Sequence, residues 1–101
     1  MRLFSTRAIH DMSNRISYKV TGEVQGVCFR QGTVEQAKNL NVTGWVRNAS
    51  DGSVEGEAQG DKGSLDSFVK YLNKGPSAAN VSNVEKSDLD PKDGESSFTQ
   101  K

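Results

Sequence analysis

The 101-residue chain has one cysteine, one histidine, one tryptophan and two prolines, and its thirteen basic residues cancel thirteen acidic ones. Each scarcity excludes something. A lone Cys28 allows no internal disulfide, so the cross-linked framework of small secreted domains is ruled out. One histidine and one cysteine fall short of the usual zinc ligand sets. With His10 placed outside the fold, no Ser-His or Cys-His nucleophile pair survives within it. Zero net charge and a pI near 6.6 argue against capture of a nucleic-acid backbone. No apolar run approaches the roughly 20 residues that span a bilayer. The length allows one domain around one core.

What is present is unevenly distributed. Hydrophobic residues make up only 33% of the chain, and two segments account for much of the deficit. Residues 1–15 have no sustained period and read as an N-terminal extension, with Met12 as an alternative start. Their arginines and serines, with no acid before Asp11, are loosely similar to a mitochondrial transit peptide; the cytoplasm is the expected compartment and the mitochondrion the alternative. Residues 16–101 are expected to form the domain. Near its end, Asp88, Asp90, Asp93 and Glu95 do not have EF-hand spacing and read as a solvated tail.

From Ile16 onward the pattern is legible. Ile16, Tyr18, Val20, Gly22 and Val24 alternate with polar residues, the period-two signature of a half-buried strand. A helix fits Arg30 to Asn41, with Thr33, Ala37 and Leu40 on one face. Val42–Ala49 and Ser53–Gln59 read as strands joined at Asp51-Gly52, a hairpin signal because both residue types tolerate positive φ. Ser64 is a candidate helix cap; Leu65, Phe68, Val69 and Leu72 follow at helical spacing, and Gly75-Pro76 ends that helix. Val81 and Val84 mark a weaker strand to about Lys86, and Phe98 anchors a last short one. The order βαββαβ predicts a ferredoxin-like α+β sandwich, two helices on one face of an antiparallel sheet.

The connection after the first strand is the candidate site. A helix start offers unpaired N–H groups and a positive dipole end that suit an anion. Gly26 permits the dihedrals of a concave nest of N–H groups, and Arg30 at the junction can set a planar cationic fork on phosphate oxygens. On local physics alone a sharp turn with a solubilising arginine fits equally well.

Two longer motifs carry a resemblance. Val20-x-Gly22-x-Val24-Gln25-Gly26-Val27-x-Phe29-Arg30 resembles the first signature of the acylphosphatases. Gly44-Trp45-Val46-Arg47-Asn48, followed by Gly52-x-Val54 and Gly60, resembles the second. The family has the βαββαβ sandwich and consists of small, metal-free hydrolases of acyl phosphates. The resemblance implies that Gln25, Gly26, Val27, Cys28 and Phe29 form a phosphate-binding loop and that Arg30 is the essential phosphate-binding cation. It also implies that Asn48 orients the attacking water and that Thr33 supports the site. Ala49 and Ser53 stand where many members have threonine. No cofactor and no metal are implied; the expected partner is a small-molecule acyl phosphate, the product inorganic phosphate, and the chain a monomer.

Such chemistry needs few titratable groups. A carboxylate leaving group, whose conjugate acid has a pKa of about 4, departs without protonation. Phosphoryl transfer relies on positioning and charge stabilisation, which N–H groups and one arginine supply. Other residues take plainer readings. Cys28 reads as a small packing residue, Trp45 and Phe29 as core or pocket wall, Arg47 as a surface charge and Asp51 as the hairpin residue. The rival function is a non-catalytic anion-binding module. An RNA-recognition domain is set aside, because the third strand offers acids and no ring.

Overall fold

β1 (Asn14–Glu23) follows from the alternation that begins at Ile16: Ile16, Tyr18 and Val20 are buried, whereas Ser17, Lys19 and Thr21 are not. The computed structural model describes residues 13–101; His10, Met12 and the rest of segment 1–12 lie outside the described residues. The strand starts two residues earlier than its apolar pattern, so Arg15 belongs to the fold and not to the extension. Its side chain is buried, with Nε donating to Glu57 at 2.9 Å and Nη1 to Glu95 at 2.8 Å. Glu95 is therefore not part of a free acidic tail.

α1 (Phe29–Asn39) buries Phe29, Thr33 and Ala37, one residue per turn. It ends at Leu40, and the positive φ of Asn41 (58°) turns the chain back into β2 (Thr43–Asn48). The β2–β3 hairpin closes through Asp51, whose Oδ1 accepts from the backbone N of Ser53 at 3.0 Å and from its hydroxyl at 2.6 Å. Hydrogen bonds from Lys19 and Ser53 hold the Asp51 carboxyl well below the usual carboxylate range.

β3 (Val54–Gly60) leads into α2 (Lys62–Lys74). The cap of α2 is Asp61 and not Ser64: the Asp61 carboxylate accepts from the Ser64 backbone N at 2.8 Å. Both are good cap residues, and the helix begins at the earlier one, a turn ahead of the position expected from sequence. Leu65, Phe68 and Leu72 form the buried stripe. Phe68 stands edge-on to Tyr18 at 5.5 Å between ring centroids and lies 5.6 Å from Phe98. A buried phenylalanine so placed stabilises the fold by about 3–5 kcal/mol relative to alanine.

β4 (Asn80–Leu89) runs past Lys86, so Asp88 is a strand residue, and β5 (Phe98–Gln100) follows. The strand order is β4-β1-β3-β2-β5. The first four strands pair antiparallel, as expected, but β5 runs parallel to β2, with Phe98 opposite Gly44 and Gln100 opposite Val46. The sheet is therefore mixed. Both helices pack on the face that carries Ile16, Tyr18, Val20, Val46, Val54, Ala58 and Phe98, and the opposite face is polar. Trp45 lies half-buried on that polar face, with the cations of Arg47 and Lys101 at 5.0 and 4.7 Å from its ring centre.

Candidate active site

The loop between β1 and α1 is shaped by three positive-φ residues. At Gly22 (φ 130°) the pairing of β1 with β4 slips by one residue, and any Cβ there would strike the Asn80 carbonyl. That irregularity bends the end of β1, where Gly22 and Glu23 stay paired with β4 after the pairing with β3 has ended at Val20. Gly26 (φ 75°) and Cys28 (φ 62°) then bend residues 25–28 into α1. A left-handed Cys28 exposes its thiol, so Cys28 is no packing residue; its backbone geometry, not its side chain, builds the turn. Alternating backbone hands of this kind turn successive N–H groups toward one concavity.

The start of α1 is left open for an anion. No described side chain caps it and no acidic residue occupies its first turn, so its N–H groups and dipole face the loop. The contrast with α2, capped by Asp61, lies within one molecule. Arg30 is half-buried in this first turn and has no ion-pair partner among the described residues. With Gly26, Cys28, Phe29 and Gln31 it lines a pocket of about 310 Å³ that Gln100 of β5 completes. Phe29 is the buried floor, and Thr33 is fully buried beneath it, its hydroxyl donating to the Phe29 carbonyl at 2.8 Å. Thr33 thus braces the first turn from below.

Asn48 ends β2 in a separate depression shared with Arg47, Ala49, Ser50, Asp51 and Glu55. Its Oδ1 is buried yet accepts no hydrogen bond from any described residue. A buried acceptor without a donor is unfavourable by about 1–3 kcal/mol, and in a native fold it asks for a ligand or a role. Gln25 couples the two regions: its Nε2 donates to the carbonyls of Ala49 and Ser53 at 2.8 and 2.9 Å. The Gln25 side chain is thereby spent on the hairpin that carries Asn48, and the loop is tied to the strand end.

The charged residues around Asn48 are already paired, Asp51 with Lys19 and Arg47 with Glu55. Arg47 is exposed and paired with Glu55 at 2.7 Å. A further depression of about 320 Å³ on the polar face sets Lys19 and Lys86 against Glu55, Glu57 and Glu85, so acids outnumber bases there and an anion is not favoured. Gln100 escaped the sequence reading; the signal was only Phe98, which promised a strand without saying where it would pair.

A βαββαβ sandwich whose first loop and uncapped helix converge on an arginine with no ion-pair partner among the described residues defines a small α+β protein with a loop open to an anion. The acylphosphatase family model matches residues 16–100. An acylphosphatase from Salinibacter ruber is 46% identical over 84 residues, 83% of this chain and 85% of that one. One from Bifidobacterium longum is 53% identical over 70 residues, 69% and 72% of the two chains. The solved structure of an acylphosphatase from Coxiella burnetii superposes with a TM-score of 0.86 at 37% identity, covering 91% of this chain and 96% of that one. The chain belongs to the acylphosphatase family, and its activity is hydrolysis of acyl phosphates.

Proposed function

We propose that Arg30 and the backbone N–H groups of the 25–30 loop hold the phosphoryl group while Asn48 orients the attacking water. The observation that carries the reading is the Oδ1 of Asn48, which no described residue satisfies. It is an acceptor, and an acceptor repels a phosphate oxygen but takes a proton donor such as water. A protein that merely binds anions has use for the loop and for Arg30, not for this oxygen. The water attacks phosphorus in line, the bond from phosphorus to the acyl oxygen breaks, and a carboxylate leaves. The water's proton passes to a phosphoryl oxygen of the substrate. Cations and N–H groups stabilise the charge spread over those oxygens. Neither Arg30 nor Asn48 changes protonation in the cycle, which fits a domain without a usable imidazole.

The same reading takes the chain as a monomer of the cytoplasm whose partner is a small acyl phosphate, not a nucleic acid or a membrane. Among the described residues, no helix is long and apolar enough to cross a bilayer. The test is phosphate release from benzoyl phosphate, measured with EDTA present. Turnover by the wild type and its loss in Arg30→Ala support the reading; unchanged release by Arg30→Ala overturns the role of Arg30. Binding of phosphate without any release by the wild type would favour the anion-binding module.

A further inference from the structure

Resting on that reading, we propose that Gln31 and Gln100 form the wall that receives the acyl group. The preferred substrates are then acyl phosphates whose acyl group is small and able to exchange hydrogen bonds. In-line displacement puts the attacking water and the leaving oxygen on opposite sides of phosphorus. Asn48 lines one depression, whereas Arg30, Gln31 and Gln100 line another. With the phosphoryl group on Arg30 and the water on Asn48, the leaving carboxylate falls to the Arg30 pocket, whose exposed carboxamides are Gln31 and Gln100.

The backbone fixes Gln100 in that position. It pairs with Val46 in β2, and the next residue, Lys101, donates its N–H to the Val46 carbonyl at 2.9 Å. Phe98, two residues earlier, is buried under the helices, so Gln100 shares the helix-bearing side of β5. Gln31 and Gln100 are both exposed, and neither side-chain amide bonds to another described residue. The apolar members of the pocket, Val24 and Phe29, are fully buried at its floor. An acyl group at the rim thus meets two free carboxamides, each both donor and acceptor, and no ring.

Acetyl phosphate and carbamoyl phosphate test this, because they differ by a methyl and an amino group of similar size. The readout is the kcat/KM ratio of carbamoyl to acetyl phosphate compared between proteins, which cancels the intrinsic reactivity of each substrate. Gln100→Leu is expected to lower the ratio about fivefold, the worth of one exposed hydrogen bond. Its inhibition constant for inorganic phosphate, which has no acyl group, should stay within about twofold. Gln100→Glu, which keeps an acceptor for the amino group, should retain the wild-type ratio. An unchanged ratio in Gln100→Leu, or a weakening of phosphate inhibition that matches the loss on both substrates, overturns the proposal. Should Gln100→Leu fail to fold, Gln31→Leu on the helix surface takes its place: a lowered ratio supports the proposal and an unchanged one overturns it. A wild type that hydrolyses neither substrate would instead refute the acyl phosphate reading on which the proposal rests.

Discussion

Arg15 and Arg30 carry the same guanidinium in opposite circumstances. Arg15 is 3% exposed and its donors are spent on Glu57, Gln59 and Glu95. The Glu95 hydrogen bond raises the Arg15 pKa, against the burial that lowers it. Arg30 is half-buried at an uncapped helix start and pairs with no described carboxylate. The two helix starts repeat the contrast, since Asp61 fills one and no described side chain caps the other. A saturated donor holds structure together, whereas a donor left unspent is free to bind a ligand. Under the proposed function Arg15 accordingly serves stability and Arg30 turnover.

Exchanging the two roles by mutation would break that comparison. Arg30→Ala is expected to lower kcat/KM for benzoyl phosphate by at least about 10³-fold, the scale for a cation that stabilises phosphoryl transfer. Its stability in urea should change by no more than about 0.5 kcal/mol, as for a surface site. A melting loss without an activity loss would invert the assignment. Asn48→Ala should lower kcat by about 10²–10³-fold and leave inhibition by inorganic phosphate nearly unchanged. Equal activity of the two proteins on benzoyl phosphate would remove Asn48 from the mechanism.

Arg15→Leu should do the reverse of Arg30→Ala. Stranding Glu95 and Glu57 costs about 2 kcal/mol, below the range for a fully buried pair, because the Glu57 side chain is 32% exposed. Urea unfolding should show that loss while kcat at 25 °C stays within about twofold of wild type. The smallest effect is in acid. Burial pushes the Glu95 carboxyl up, but hydrogen bonds from Arg15 and Thr43 outweigh it and leave the pKa lowered. A lowered folded-state pKa contributes stability that is complete above the ordinary carboxylate range and is lost as pH falls through the folded value. Glu95→Gln should therefore be less stable than wild type at neutral pH, and the gap should close as the pH falls to about 3. A gap that widened in acid would contradict the Arg15–Glu95 pairing.

One half of this contrast was far easier to read from sequence than the other. The period of two from Ile16, the Asp51-Gly52 turn and the Leu65–Leu72 stripe are local signals, and each element formed where its signal lay. The motifs marked the first loop and Asn48 as candidates, and the loop's positive-φ turn and the Asn48 Oδ1 without a described donor lie at those positions. The burial of Arg15 was not, because its partners lie 42 and 80 residues away, and a charged residue ahead of a strand reads as surface. β5 has only Phe98 buried among its three residues, too few to reveal a parallel pairing. Gln100 was invisible as a pocket residue for the same reason: its place comes from β2, not from its own neighbours. Gln25 read as a phosphate-loop residue, and only the fold reveals that its amide clamps the hairpin.

On a chain with no net charge to draw phosphate in, capture has to be local, by unspent donors. Titration of the 15N-labelled protein with inorganic phosphate tests this residue by residue. The largest amide shifts are expected at 26–30, with a response at the Asn48 side chain and none at Arg15, and the whole pattern should be lost in Arg30→Ala. Shifts centred on Lys19, Lys86 and Trp45 of the polar sheet face, with the loop silent, would contradict local capture at the loop.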